Sequence, residues 1–379
     1  MSTVYFLGSA RCFHTVDWYE SAQKIFGKEV PFVTDLIDGE GFPCLIDDPK
    51  VLQRLIVIDD FLPGSYGAIG HKIRNFLKFI LAPIQVYRLR RFIGVSPEKL
   101  TFAHSTYYAF LGGLAGIRYV STPQGSEVLL RIERSWLYRV MARIAHTRAI
   151  LVTVDSMAMK LKLKELLDVD AEIVQNGVPV SKLLLPRKDS QKKELLSLDQ
   201  KGILSIRGVA ENYQIQQLIQ ARDSSGSKPN ITLCCPFFHE EYKSKVLNSI
   251  DYNNDRFLGR LDREQFHETL RRFSIAISIP LSDSSPRSVY EAIFSGCIVI
   301  IRDCLYIHSL PICMRSRLVI TDCNGSWLDS CYQEALLRFK EPYLPSDEAM
   351  CLFDQSLSVQ RVIDKLDMKS EFTKIFNKL

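Results

Sequence analysis

Two doubly wound α/β domains are the fold that this sequence predicts, and three observations predict them. The chain has 379 residues, more than a single hydrophobic core organises. Short apolar runs alternate with longer helical patterns, as in parallel sheets covered by helices on both faces. The segment 183–197 is rich in Lys and Leu, contains Pro186 and interrupts that alternation, so it reads as the connection between two halves.

In the first half, the runs 4–7, 55–58, 100–103, 119–122 and 150–153 are each apolar and short enough to be buried strands, with helices between several of them. Five strands are therefore expected there. The second half repeats the scheme at 202–206, 231–235, 255–258, 275–279, 297–301 and 318–321, with helical stretches such as 213–221 and 263–273 between them. The expected division is a first domain over 1–182, a linker over 183–199, a second domain over 200–355, and a C-terminal helix over 356–379 packing back on the first domain. In such sheets ligands bind beyond the carboxyl ends of strands, so the loops that follow strands are where function is sought.

Composition excludes several classes. At 46% hydrophobic and 24% charged residues, with 19 Gly and 16 Pro, the chain is neither disordered nor fibrous. The longest uncharged stretch, 100–117, carries His104, Ser105, two Tyr and three Gly, which makes it a poor membrane span. Met1 leads directly into the apolar run at Val4 with no basic region or cleavage site, so a cytoplasmic location is expected. Ten scattered cysteines without a C-x-x-C fit reduced, mostly buried thiols. No H-E-x-x-H or P-loop pattern occurs, and Asp168-Val169-Asp170 is an isolated pair of carboxylates, so no metal and no resident cofactor are expected.

Charge is unevenly spread. Residues 1–70 carry 5 Lys/Arg against 10 Asp/Glu, whereas residues 71–148 carry 13 against 3. A basic belt of this size points to an anionic partner. Its first part, 71–92, mixes Lys72, Arg74, Lys78, Arg88, Arg90 and Arg91 with aromatic and aliphatic residues. Its second part, 129–148, interleaves five Arg with Ile132, Trp136, Leu137, Val140 and Ile144. Two readings stay open: contact with an anionic bilayer, or core-facing helices with solvated basic sides. No nucleic-acid-binding module accompanies the belt, so nucleic acid is not an expected partner.

The most informative window is 274–301. An apolar strand leads into Ser282-Asp283-Ser284-Ser285-Pro286-Arg287-Ser288, then a helix through Val289 and Glu291, then Gly296 and another strand. Pro286 suits a helix start, where unpaired N–H groups favour a phosphate. Glu291 follows about one and a half turns on. An ionised carboxylate there accepts hydrogen bonds from sugar hydroxyls, or it is simply a solvated residue on an outer face.

Asp283 and Glu291, separated by seven residues within Asp-Ser-Ser-Pro-Arg-Ser-Val-Tyr-Glu-Ala, resemble the acidic signature of the retaining glycosyltransferases of family 4, which have the GT-B fold. Five further landmarks are similar to that family and occur in its order. They are Thr122-Pro123-Gln124-Gly125-Ser126-Glu127, Thr153-Val154-Asp155-Ser156, Val174-Gln175-Asn176-Gly177-Val178, Ser205-Ile206-Arg207-Gly208, and Phe257-Leu258-Gly259-Arg260-Leu261. The resemblance implies two Rossmann-like domains facing across a cleft. It implies that Glu291 holds the ribose of a nucleoside-diphosphate sugar and that Asp283 contacts the transferred sugar. Arg207 would neutralise the diphosphate, helped by backbone N–H groups near Ser288 and Val289. Gly8 and Ser9, after the first strand, are similar to the small-residue loop that lets donor and acceptor approach the backbone; for Gly8 an ordinary turn is the other reading. Three departures stand out: Asp283 occupies a position where Glu is usual, and Gln124 one where many members have a catalytic His. The usual Lys six residues after the Arg is absent, with Asn212 and Tyr213 there instead, so Arg260 is the candidate for a second phosphate contact.

The activity implied is retaining, metal-independent sugar transfer to a glycan or a polyprenyl-diphosphate-linked glycan. The setting implied is the synthesis of a bacterial surface polysaccharide such as an O-antigen lipopolysaccharide or capsule, at the inner face of the cytoplasmic membrane. Two alternatives remain: a non-catalytic GT-B partner or glycan-binding protein, and a UDP-sugar epimerase of similar two-domain shape.

Overall fold

The computed structural model describes residues 3–10, 12–35, 48, 50–55, 76–185 and 201–376. Residues 71–75 of the basic belt, 56–58 of the expected second strand and 186–199 of the expected linker lie outside the described residues. The chain divides into two compact units, one of Met1–Asn176 with Gln355–Leu379 and the other of Gly177–Asp354.

The first unit is built on β1 (Thr3–Leu7), β2 (Phe32–Thr34), β3 (Leu52–Arg54), β4 (Lys99–His104), β5 (Tyr119–Thr122), β6 (Leu151–Val154) and β7 (Glu172–Ile173). They lie in the order β3-β2-β1-β4-β5-β6-β7, and every neighbouring pair is parallel. Among the described residues seven strands stand where five were expected. Those outside the expected runs, β2, β3 and β7, are three, three and two residues long, too short for a periodic signal. The second strand of the sequence reading, 55–58, begins just beyond β3, whose residues are Leu-Gln-Arg.

Alternation along β1 builds both layers of this unit. Val4 and Phe6 join Trp18, Tyr19 and Phe32 on one face, whereas Tyr5 and Leu7 join Leu89, Leu111 and Tyr119 on the other. The C-terminal helix Ser358–Phe376 sends Val359 and Val362 into the first of these clusters. Just before it, the Gln355 side-chain amide donates to the Asp17 carbonyl at 3.1 Å, and the Ser21 hydroxyl donates to the Ser356 carbonyl at 3.0 Å.

The second unit contains β8 (Ile203–Ser205), β9 (Ile231–Cys234), β10 (Arg256–Gly259), β11 (Ile275–Ser278), β12 (Ile298–Arg302) and β13 (Leu318–Thr321). Their order is β10-β9-β8-β11-β12-β13, again all parallel. Continuous apolar runs made these strands legible, because helices cover both faces of a parallel sheet. Along β12, Ile298 and Ile300 pack into one layer, while Val299 and Ile301 pack into the other. In both sheets the strand order reverses between the first strand of the unit and the fourth, which places the loops after β1 and β4, and after β8 and β11, at the switch points where ligands bind.

Asp168 and Asp170 both pair with Lys164, at 2.8 and 3.2 Å, at the end of helix Met157–Leu167, and their side chains are exposed. Among the described residues no helix is long and apolar enough to cross a membrane.

Candidate functional site

In the second unit the carboxyl ends of β8 and β11 bring the motif residues together. Arg207, two residues beyond β8, places Nη2 2.8 Å from Asp283 Oδ2, and its Nη1 donates to the Ser288 hydroxyl at 3.2 Å. The guanidinium also lies 4.7 Å from the centre of the Tyr213 ring, and that ring packs edge-on against Phe237. Tyr213 therefore does something the usual Lys would not: its face holds the single guanidinium in place. Gly208 lets the Phe237 ring lie close against the backbone, since a Cβ there would lie 2.6 Å from the ring and make it shift. Burial pushes the Asp283 carboxyl up, and Arg207 and the Ser284 N–H oppose that rise without cancelling it.

Helix Arg287–Phe294 begins beside this cluster. Of the two helix-start residues named from the sequence, Ser288 offers its side chain to Arg207, while Val289 is fully buried and its N–H is taken by the Pro286 carbonyl at 3.0 Å. Glu291 is only 6% exposed, which removes the solvated outer-face reading. Its Oε1 meets Arg287 Nε at 3.1 Å, His267 Nε2 at 3.4 Å and Arg263 Nη2 at 3.8 Å. Burial alone would raise this carboxyl, but hydrogen bonding and charge from His267 and Arg287 prevail and hold it below the usual carboxylate range. Arg260 is exposed and follows β10, the edge strand two positions from β8.

Two further side chains follow β12 and were not anticipated. Tyr306 is buried, its hydroxyl makes no hydrogen bond, and burial first, then Tyr290 and Asp283, keep the phenol protonated. The Cys304 thiol is pushed up to about 11 by burial, then by Asp283 and Asp303, so it is not a thiolate nucleophile at neutral pH. The sequence signal for both was faint: a polar loop after an apolar strand, the context that identified Asp283.

In the first unit, Gly8 and Ser9 follow β1, and Gln124 follows β5. A Cβ on Gly8 would lie 2.5 Å from Thr15 Cγ2, with His104 Cβ 3.5 Å away, so Gly8 is a close-packing position rather than an ordinary turn glycine. The Thr15 hydroxyl is 2.8 Å from His104 Nδ1, and burial pushes that imidazole down to about 4, leaving it neutral at pH 7. Gln124 donates its side-chain amide to Cys12 Sγ at 3.3 Å, which brings the β5 loop against the β1 loop. Its backbone N–H donates to Glu127 at 2.9 Å. The candidate residues thus form three groups: Gly8, Ser9 and Gln124; Arg207, Asp283 and Ser288; and Glu291 with its cations.

No protein-family model matches the chain, and no curated protein matches it in sequence. Solved structures do. HepE from Anabaena, in complex with UDP and glucose, superposes with a TM-score of 0.70 at 14% identity, covering 97% of this chain and 100% of that one. The sucrose-phosphate synthase of Thermosynechococcus elongatus gives 0.68 at 13% identity, covering 99% of each chain. A UDP-forming trehalose-phosphate synthase from Burkholderia xenovorans gives 0.67 at 10% identity, covering 97% and 99%. With its two all-parallel sheets and these whole-chain likenesses, the chain has the GT-B fold.

Proposed function

We propose that the chain is a retaining glycosyltransferase of the family 4 kind, moving a sugar from a nucleoside-diphosphate donor to a glycan or lipid-linked glycan. The observation that carries this reading is the assembly of Arg207, Asp283 and Ser288 at the carboxyl ends of adjacent strands, beside a helix start. Sugar transfer develops negative charge on the departing diphosphate, and a cation fixed in advance at that point lowers the barrier. In this reading Arg207 supplies that charge and no metal is needed, Asp283 reads a hydroxyl of the transferred sugar, and Glu291 reads the ribose. The leaving phosphate itself accepts the proton of the attacking acceptor hydroxyl on the same face, which preserves the anomeric configuration. HepE, similar in fold, was solved with UDP and glucose, which supports a UDP-linked donor.

A thermal-shift panel of UDP-, GDP-, ADP- and CDP-sugars tests the donor half, because a ligand bound only by the native state raises its melting temperature. One nucleotide is expected to stabilise the wild type, with a markedly smaller shift in Glu291→Gln, which keeps the shape of the side chain and removes its charge. No shift with any of the four favours a non-catalytic GT-B protein, a reading to which the engagement of Gln124 with Cys12 lends some weight. An unchanged shift in the variant takes Glu291 out of the site.

The proposal extends to peripheral contact with the inner face of the cytoplasmic membrane, where lipid-linked acceptors of surface polysaccharides are presented. Helices Ala82–Ile93 and Trp136–Thr147 turn Leu89, Ile93, Met141 and Ala145 inward. Their outer sides expose Ile84, Tyr87, Trp136, Leu137 and Val140 among Arg90, Arg91 and Arg143. Apolar and basic residues sharing one exposed side suit an anionic bilayer. Co-sedimentation with vesicles containing phosphatidylglycerol is expected to exceed that with phosphatidylcholine alone and to weaken as salt is added. Equal partitioning to both would remove the electrostatic component.

A further inference from the structure

Asparagine followed by glycine is chemically labile, because the backbone nitrogen of a residue without a Cβ reaches the preceding side-chain carbonyl carbon unhindered. The sequence contains two such pairs, Asn176-Gly177 and Asn324-Gly325. Their intrinsic chemistry is the same, and the structure gives them opposite surroundings.

Asn176 is held at both ends of its amide. Its Oδ1 accepts from Trp18 Nε1 at 2.9 Å, and its Nδ2 donates to Asp155 Oδ2 at 3.4 Å. The main chain is held too, since the Ser358 hydroxyl donates to the Asn176 carbonyl at 3.0 Å. Trp18 and Gly177 are buried. Before this side chain can turn onto the Gly177 nitrogen, both contacts of its amide must break, and the nitrogen it would meet belongs to a buried residue.

Asn324 follows β13 in the loop before helix Trp327–Phe339. Asn324, Gly325 and Ser326 are all exposed. A Cβ on Gly325 would meet nothing within 4 Å, so the space around its backbone is open. No group among the described residues accepts from the Gly325 N–H. Asp322 takes the Asn324 N–H at 3.0 Å and its Nδ2 at 3.1 Å, but that carboxylate is exposed, where water competes for every hydrogen bond.

We propose that Asn324 is a site of spontaneous deamidation, which the fold leaves open while closing the same chemistry at Asn176. The Gly325 backbone nitrogen gives its proton to water and bonds to Asn324 Cγ. The side-chain nitrogen leaves as ammonia, which closes a succinimide ring. Water then opens the ring, at Cγ to leave an aspartate or at the main-chain carbonyl carbon to leave an isoaspartate. One water is consumed and one ammonia released, with no oxidation or reduction. Both products add a carboxylate beside Asp322, next to a groove of about 210 Å³ lined by Gly325, Trp327 and Asp329. The isoaspartyl product also lengthens the backbone just ahead of the helix that packs Leu328, Cys331 and Tyr332 into the second unit's core. The step is independent of the transferase reading.

The test keeps the full chain in warm, mildly alkaline buffer and follows its peptides by liquid chromatography and mass spectrometry, which separate asparaginyl, aspartyl and isoaspartyl forms. In the folded protein Asn324 is expected to convert at least about tenfold faster than Asn176, whose two amide contacts must break first. In urea the two should convert at similar rates. Asn324→Gln keeps the amide and moves it one methylene away from the Gly325 nitrogen. This variant should melt as the wild type does and lose the acidic species that accumulates on ion exchange. An Asn324 rate no greater than that of Asn176 in the folded chain overturns the proposal. So does an undiminished preference for Asn324 in urea, which would belong to neighbouring residues and not to the fold, or persistence of the acidic species in Asn324→Gln.

Discussion

Arg207→Ala is expected to lower turnover of the donor by a factor of about 10²–10³, the loss usual when a preorganised group facing developing charge is removed. On the proposed transferase reading the effect should fall mainly on kcat, since there the guanidinium is most needed when negative charge appears on the departing diphosphate. Arg207→Lys should rescue little. One guanidinium simultaneously meets the Asp283 carboxylate, the Ser288 hydroxyl and the Tyr213 ring, and an ammonium cannot reproduce that planar, multiply directed arrangement. The variant should also change how rate depends on pH. Burial already raises the Asp283 carboxyl and Arg207 opposes it, so without Arg207 the proton is held to a higher pH and the rate should rise with pH later than in the wild type. Initial rates across pH measure both effects, and turnover within threefold of wild type would remove Arg207 from the chemistry.

Glu127→Ala should cost the first unit roughly 3–5 kcal/mol, because it leaves donors from Ser105, Thr106 and Gln124 facing an apolar methyl in the interior. Glu127 is 5% exposed and sits against the start of helix Thr106–Ala115, where a negative charge is favoured. Ser105 there adopts a left-handed φ of 85°, a conformation that a non-glycine residue holds only when its surroundings compensate, and its bond to Glu127 is part of that compensation. Glu127→Gln retains one acceptor oxygen and should lose less. Urea unfolding, with hydrogen exchange over residues 99–131, measures the effect. A loss below about 1 kcal/mol with unchanged exchange would mean that water replaces the carboxylate.

Glu127 also marks how far the sequence could be read. The stretch Thr122-Pro123-Gln124-Gly125-Ser126-Glu127 identified the loop, but four hydrogen-bond donors from two strand-to-helix turns give its carboxylate a structural task. Glu291 is similar. Its position on a helix was legible, whereas its burial among Arg287, His267 and Arg263 depends on helix Arg263–Arg272 packing alongside. Lys78 was read only as one cation of the basic belt and its buried partner Asp35 was missed, because their pairing joins different elements and no spacing along the chain encodes it.

By itself the sequence determined the two α/β units and all six strands described in the second, because strands covered by helices must be largely apolar and such runs stand out. It also determined which strand-following loops carry the polar residues of the motif. Only the tertiary structure decided which of those residues act together. Arg207 and Asp283 are separated by a long stretch of chain, yet they meet because β8 and β11 are neighbours in the sheet. The short strands β2 and β7 likewise exist through pairing with β1 and β6, since two or three residues have no strand propensity strong enough to form alone. Local pattern follows from burial, which each residue carries in its own chemistry, whereas a site follows from adjacency, which arises only when the sheet assembles.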